Sequence, residues 1–233
     1  MLKGVAPIDK ARDFAKRFGD ANSVVHGDRQ KAYSEELGGV TDQDMQAMIN
    51  RLFKMNKSTP VFGEYIVRKE KESSIDFTRR IKLMVKESID AGFPPLLSVK
   101  SVKASKSKDG EYLWNAIYQH WVCITEIQSA GDEALLIKLA DSYSGKMITG
   151  FLYTADPRGS VVPMKYKTDA DGNDIWNWEN GINCMFLSAP KLPLGTQQAN
   201  WNERTYIAAR FLIMKQADIH RLSLPAKKKV EAK

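Results

Sequence analysis

The chain has 233 residues, 43% of them hydrophobic and 27% charged, with a formal charge of +7. This is globular composition with ample apolar material for a core. Part of the positive charge is a basic end, Lys227, Lys228, Lys229 and Lys233 against Glu231. A second cluster, Lys100, Lys103, Lys106 and Lys108, falls in a Ser/Lys/Asp/Gly stretch without interleaved aromatics, which argues against nucleic acid as a partner.

No apolar run reaches the ~18–20 residues of a membrane span, so no membrane partner is expected. The N-terminus lacks the hydrophobic stretch of a secretory signal. Two cysteines, Cys123 and Cys184, are too few for a disulfide framework and fit a reducing compartment. The expected location is the cytoplasm, or outside by a signal-less route.

In chain order, Pro7 opens a helical pattern with Ile8, Ala11, Phe14, Ala15 and Phe18 on one face, stopped by Gly19. Residues 21–39 are polar and poorly periodic. Thr41 caps a second helix with Met45, Met48, Ile49, Leu52 and Phe53 as its stripe. Segment 61–67 reads as a short strand. A third helix runs from about Ser74 to Ala91 and ends at Gly92 and Pro94. The period then changes. Strands are expected at 95–102, 118–127, 134–140 and 147–153, with short ones around Val161–Lys165 and Cys184–Leu187. Asn200 and Glu203 supply capping-box residues for a last helix from about Trp201 to His220. Helices followed by a run of strands predict an α+β fold with an antiparallel sheet, as one domain over 1–222. Its helical part would cover about 1–92, its sheet part about 93–200 and its C-terminal helix about 201–220. Residues 223–233 are expected to form a basic disordered tail.

Strands 120–127 and 134–141 are joined by a turn centred at Ala130–Gly131. Folding about that centre sets His120 opposite Asp141, Val122 opposite Leu139 and Ile124 opposite Ile137. Alternation puts all six on one face, with an imidazole and a carboxylate at its end. A carboxylate that fixes an imidazole tautomer is two thirds of a nucleophilic triad. The same pair also serves simply to end a hairpin.

The residues around the pair add a resemblance. A helix ends in Ala91-Gly92-Phe93-Pro94-Pro95, the strand Leu96-Leu97-Ser98-Val99 follows, then His120-Trp121-Val122, then Ala140-Asp141-Ser142-Tyr143-Ser144-Gly145. Over roughly residues 75–150 this order resembles the bacterial papain-like cysteine peptidases of the C39-like group. The resemblance implies a papain-like fold, His120 as general base, Asp141 as its orienting partner and Trp121 packed beside the site. It also implies a catalytic Cys at the start of the first helix, behind an oxyanion-hole Gln. Here Leu2 to Pro7 contain neither. The nucleophile is lost, replaced near Ala6, or encoded upstream of Met1.

Within the chain, Cys184 follows the histidine in sequence, the order of circularly permuted relatives, and is the candidate nucleophile. Cys123 is an odd number of residues from His120 and points to the opposite face. Segment 169–174 (Asp-Ala-Asp-Gly-Asn-Asp) departs from the EF-hand pattern and reads as a hairpin turn between Lys165 and Trp176. His26, His120 and His220 lack metal-ligand spacing, so neither a metal nor a cofactor is expected. The functional expectation is a thiol hydrolase acting on peptide or isopeptide bonds. The alternative is a pseudo-peptidase that grips a peptide or protein without cleaving it.

Overall fold

The computed structural model describes residues 7–34, 39–106, 112–154, 165–168, 174–177, 184–192 and 205–215. Helix α1 (Pro7–Gly19) starts at its proline and ends at its glycine. Two small antiparallel pairs follow, β1 (Asn22–Ser23) with β2 (Gly27–Lys31), and β3 (Tyr33–Ser34) with β4 (Gly39–Val40). Helix α2 (Asp42–Met55) is capped by Thr41, whose hydroxyl accepts from the Asp44 amide. After β5 (Val61–Tyr65), Ser73 caps α3 (Ser74–Asp90) in the same way, accepting from the Asp76 amide.

The rest is strand: β6 (Leu96–Lys106), β7 (Tyr112–Ser129), β8 (Ala134–Asp141), β9 (Met147–Tyr153), β10 (Lys165–Thr168), β11 (Asp174–Asn177), β12 (Met185–Ser188) and β13 (Thr205–Lys215). Strands β10 and β11 form the hairpin expected between Lys165 and Trp176, with Lys165 opposite Asn177. The calcium-like residues 169–173, positions 161–164 of the strand expected around Val161–Lys165, and the tail at 223–233 lie outside the described residues.

The papain-like α+β arrangement is overturned. The protein is mostly β, and six antiparallel strands close into a barrel in the order β6-β7-β8-β9-β12-β13, with β13 returning to β6. Strand β13 is wide enough in register to serve two partners on its second edge. Ala208 and Ala209 pair with β12, while Phe211 to Lys215 pair with β5. Closure satisfies the edge hydrogen bonds that an open sheet would leave to solvent. The approach of β12 to β9 is close: a Cβ on Gly150 would sit 2.9 Å from the Ser188 carbonyl oxygen.

The expected C-terminal helix is replaced, over its described part, by β13. Every residue from Ile207 to Met214 is buried. Ile207, Ala209, Leu212 and Met214 face the barrel core, and Phe211 and Ile213 face the helix layer outside. A strand covered on both faces reads as one continuous apolar run, with neither the alternation of a strand nor a polar helix face. Ala, Arg, Leu and Met then favour a helix locally, and pairing with three strands overrides that weak preference.

The inward residues of the barrel form one core. Leu97 and Val99, Val122 and Ile124, Leu135, Ile137 and Leu139, Ile148 and Leu152, Met185 and Leu187 all join it. Helix α3 adds Phe77, Ile81 and Val85 to the same core. It stoppers the end where β7 and β13 finish, since Lys82 reaches the Ser129 hydroxyl and the Lys215 amide donates to Ser88. Arg80 fixes its first turn by pairing with Glu72 and Glu64 and donating to the Val67 carbonyl. Helix α2 instead covers the outer face, packing Ile49 with Val61, Phe211 and Ile213.

Candidate functional site

The barrel end away from α3 holds the polar pair. Strand alternation turns His120 inward with Val122 and Ile124, and Asp141 inward with Leu139 and Ile137. His120 Nε2 lies 2.5 Å from Asp141 Oδ1. Both side chains are buried, at 7% and 0% exposure.

The pairing reaches this result by a different register from the one the turn centre predicts. Val122, not His120, is opposite Asp141, and Ile124 is opposite Leu139. The shift at this end is two residues, which preserves the face, so His120 meets Asp141 on the diagonal. A bulge at Thr125 then shifts the far end by one more, pairing Ile127 with Ile137.

Asp141 is held from several sides. It ends β8 and opens a tight turn in which the Gly145 amide donates to its carbonyl. Its Oδ2 accepts from the Ser144 amide at 2.8 Å and the Ser144 hydroxyl at 2.5 Å. The Tyr143 amide donates to Oδ1 at 3.3 Å. Burial pushes the carboxyl pKa up, but the Ser144 hydroxyl, His120 and the amides of Ser144 and Tyr143 outweigh it and hold the pKa below the ordinary value. An ionised carboxylate only accepts hydrogen bonds, so Nε2 must carry a proton. The basic lone pair of the neutral ring is thereby assigned to Nδ1.

The other sequence candidates lie elsewhere. Trp121 alternates to the outer face and packs with the cluster of Ile49, Val61, Phe211 and Ile213. Its backbone still touches the site's turn, because its carbonyl accepts from the Ser142 hydroxyl at 2.7 Å. Cys184 is fully buried immediately before β12. In the closed ring β12 is three strands from β7 in either direction. Met185 and Leu187 point into the core, so alternation extended by one residue turns Cys184 from the face that carries His120. Cys123 also faces away. Its thiol donates to the Pro94 carbonyl, and burial pushes its pKa up. Both thiols should therefore alkylate slowly at pH 6, at rates unchanged by His120→Ala. A Cys184 rate that falls sharply in His120→Ala would pair it with the imidazole after all.

Ser144 serves the turn by donating to Asp141, and the sequence reading missed a second, buried polar link. Gln119 alternates outward and donates to Asp42 Oδ1 and to the Ser98 hydroxyl. Asp42 opens α2 and pairs through Oδ2 with Arg210 Nε at 2.9 Å. Arg210 is the extra residue of a β13 bulge. A lone arginine inside the run Ile207 to Met214 was the available signal, since a buried charge requires a partner.

Among the described residues, no three His, Cys, Asp or Glu side chains converge as a metal would require. No helix among them is long and apolar enough to cross a membrane. No protein-family model matches the chain, and neither a curated protein nor a solved structure matches it.

Proposed function

We propose that the chain is an acyl hydrolase in which His120, oriented by Asp141, is the general base. The observation that carries this is the 2.5 Å contact between Nε2 and a carboxylate kept ionised by its own turn. A surface hairpin needs no such device to end. Four hydrogen bonds on one buried carboxylate fix the ring's rotation and its tautomer together. In the reaction, Nδ1 removes a proton from the attacking group and returns it to the leaving amine, while Asp141 stabilises the imidazolium between the two steps. The short contact between His120 and Asp141 supports the imidazole as proton acceptor. The peptide or isopeptide bond as substrate comes from the sequence resemblance over residues 75–150.

The test is turnover of a mixed library of peptides and lysine isopeptides, read by mass spectrometry. Cleavage by the parent should fall on the order of 10²–10⁴-fold in His120→Ala, the usual worth of a general acid–base group. Binding without cleavage, or cleavage that His120→Ala leaves intact, would sink the hydrolase reading. The first of these outcomes would favour a domain that grips a peptide without cutting it, a reading consistent with the separation of both thiols from the imidazole.

A further inference from the structure

We propose that an extended peptide binds to β7 as an added antiparallel strand, along the edge that β8 leaves open beside His120 and Asp141. This rests on the reading of a peptide as the substrate, though not on its being cut, and names how the chain holds it.

The open edge follows from the strand lengths. Strand β6 pairs with β7 from Tyr112 to Cys123, whereas β8 pairs with it only from Val122 to Ser129, because the chain turns away after Asp141. From Tyr112 to Trp121, β7 therefore has a strand on one edge and, among the described residues, none on the other. An unpaired edge is a template for pairing with another chain.

Backbone alternation shows which groups are on offer. The Ile124 amide donates to the Pro95 carbonyl, so Ile124, Val122 and His120 direct their main-chain groups at β6. Trp121 and Gln119, one residue out of step, direct theirs at the β8 side. The Trp121 carbonyl is taken by the Ser142 hydroxyl and marks where β8 stops. Past it, the main-chain amide and carbonyl of Gln119 have no partner among the described residues. This backbone is held in place, since the Gln119 side chain is fixed to Asp42 and Ser98.

A strand entering here continues the line of β8 in the same direction. Its leading residue meets the turn after Asp141, where Tyr143 is 78% exposed and has its amide fixed on the Asp141 carboxylate. Main-chain bonds give such an edge affinity for any extended peptide, and the aromatic ring adds a preference for an apolar leading residue. That leading end is also the end nearest the dyad, where the proposed base has to meet a peptide bond.

The experiment uses the full ¹⁵N-labelled chain and the peptide library above. The tightest-binding member is resynthesised with a single N-methyl group at each residue in turn, and amide exchange of the protein is followed with and without the unmodified peptide. Gln119 amide exchange should slow by about tenfold or more at saturation, while His120 and Val122, already bonded to β6, stay unchanged. N-methylation should weaken binding by about tenfold at alternate residues only, because every second amide of an added strand points away from its partner. Tyr143→Ala should erase a preference for phenylalanine over serine at the leading residue, and a preference that survives overturns the part given to Tyr143. Binding that leaves Gln119 exchange unchanged, or an N-methyl scan without alternation, overturns the added strand. Protection of Gln119 without cleavage upholds it and sinks the hydrolase. Cleavage that depends on His120 with Gln119 exchange unchanged does the reverse. A library in which nothing binds overturns both.

Discussion

Asp141→Asn is expected to cut the cleavage rate by on the order of 10²–10⁴-fold, close to the loss from removing the imidazole itself. The argument is one of tautomers. Asparagine keeps the shape and an oxygen for the Ser144 amide, but its nitrogen donates, and two donors cannot face each other across 2.5 Å. The ring responds by moving its proton from Nε2 to Nδ1, where the lone pair is needed. The same variant carries a pH signature. The folded-state pKa of Asp141 is depressed, so its contribution to stability is complete above the unfolded carboxyl pKa of about 3.9 and fades as pH falls through the folded value. Asp141→Asn should therefore lose less stability than the parent on acidification below about pH 4. Equal acid sensitivity in the two chains would mean that the carboxylate is not held ionised by its turn.

Arg210→Ala should be the most damaging single change to the scaffold. The Arg210 and Asp42 side chains are 7% and 0% exposed. Removing one partner of a buried ion pair costs about 3–5 kcal/mol, because the other charge stays out of water. Arg210 also lies 5.8 Å from the Tyr65 ring centroid, so packing is lost with the charge. Urea denaturation is the measurement. The double variant Arg210→Met with Asp42→Leu should recover most of the loss, since apolar replacement of a whole buried pair is often neutral or better. A loss under about 1 kcal/mol in the single variant would mean that water reaches the pair, as it does at surface salt bridges.

Local signals carried the parts of this protein that local physics decides. Thr41 and Ser73 cap their helices where cap residues precede an apolar stripe, and Val61–Tyr65 and Met147–Tyr153 fall where short strands were expected. His120 and Asp141 meet because alternation survives a register error of two residues. The error itself came from placing the turn centre at Ala130–Gly131. The ladder in fact closes with Ser129 opposite Leu135, and Thr125 is bulged out. That bulge had a visible trace, since the inward pattern steps by two from Val122 to Ile124 and then by three to Ile127.

Barrel closure had no such trace. It depends on β13 pairing with β6 and β12 together, across more than 100 residues of chain in the β6 case. A strand buried on both faces gives no periodicity to read.

The most direct test of the account is the protonation of the His120 ring in ¹⁵N-labelled protein, by long-range ¹H–¹⁵N correlation at neutral pH with His120→Ala to assign the signal. The account predicts a proton on Nε2, shifted downfield by the Asp141 carboxylate and protected from exchange, with that signature lost in Asp141→Ala. A ring protonated on Nδ1 alone, or one whose spectrum Asp141→Ala leaves unchanged, would contradict it.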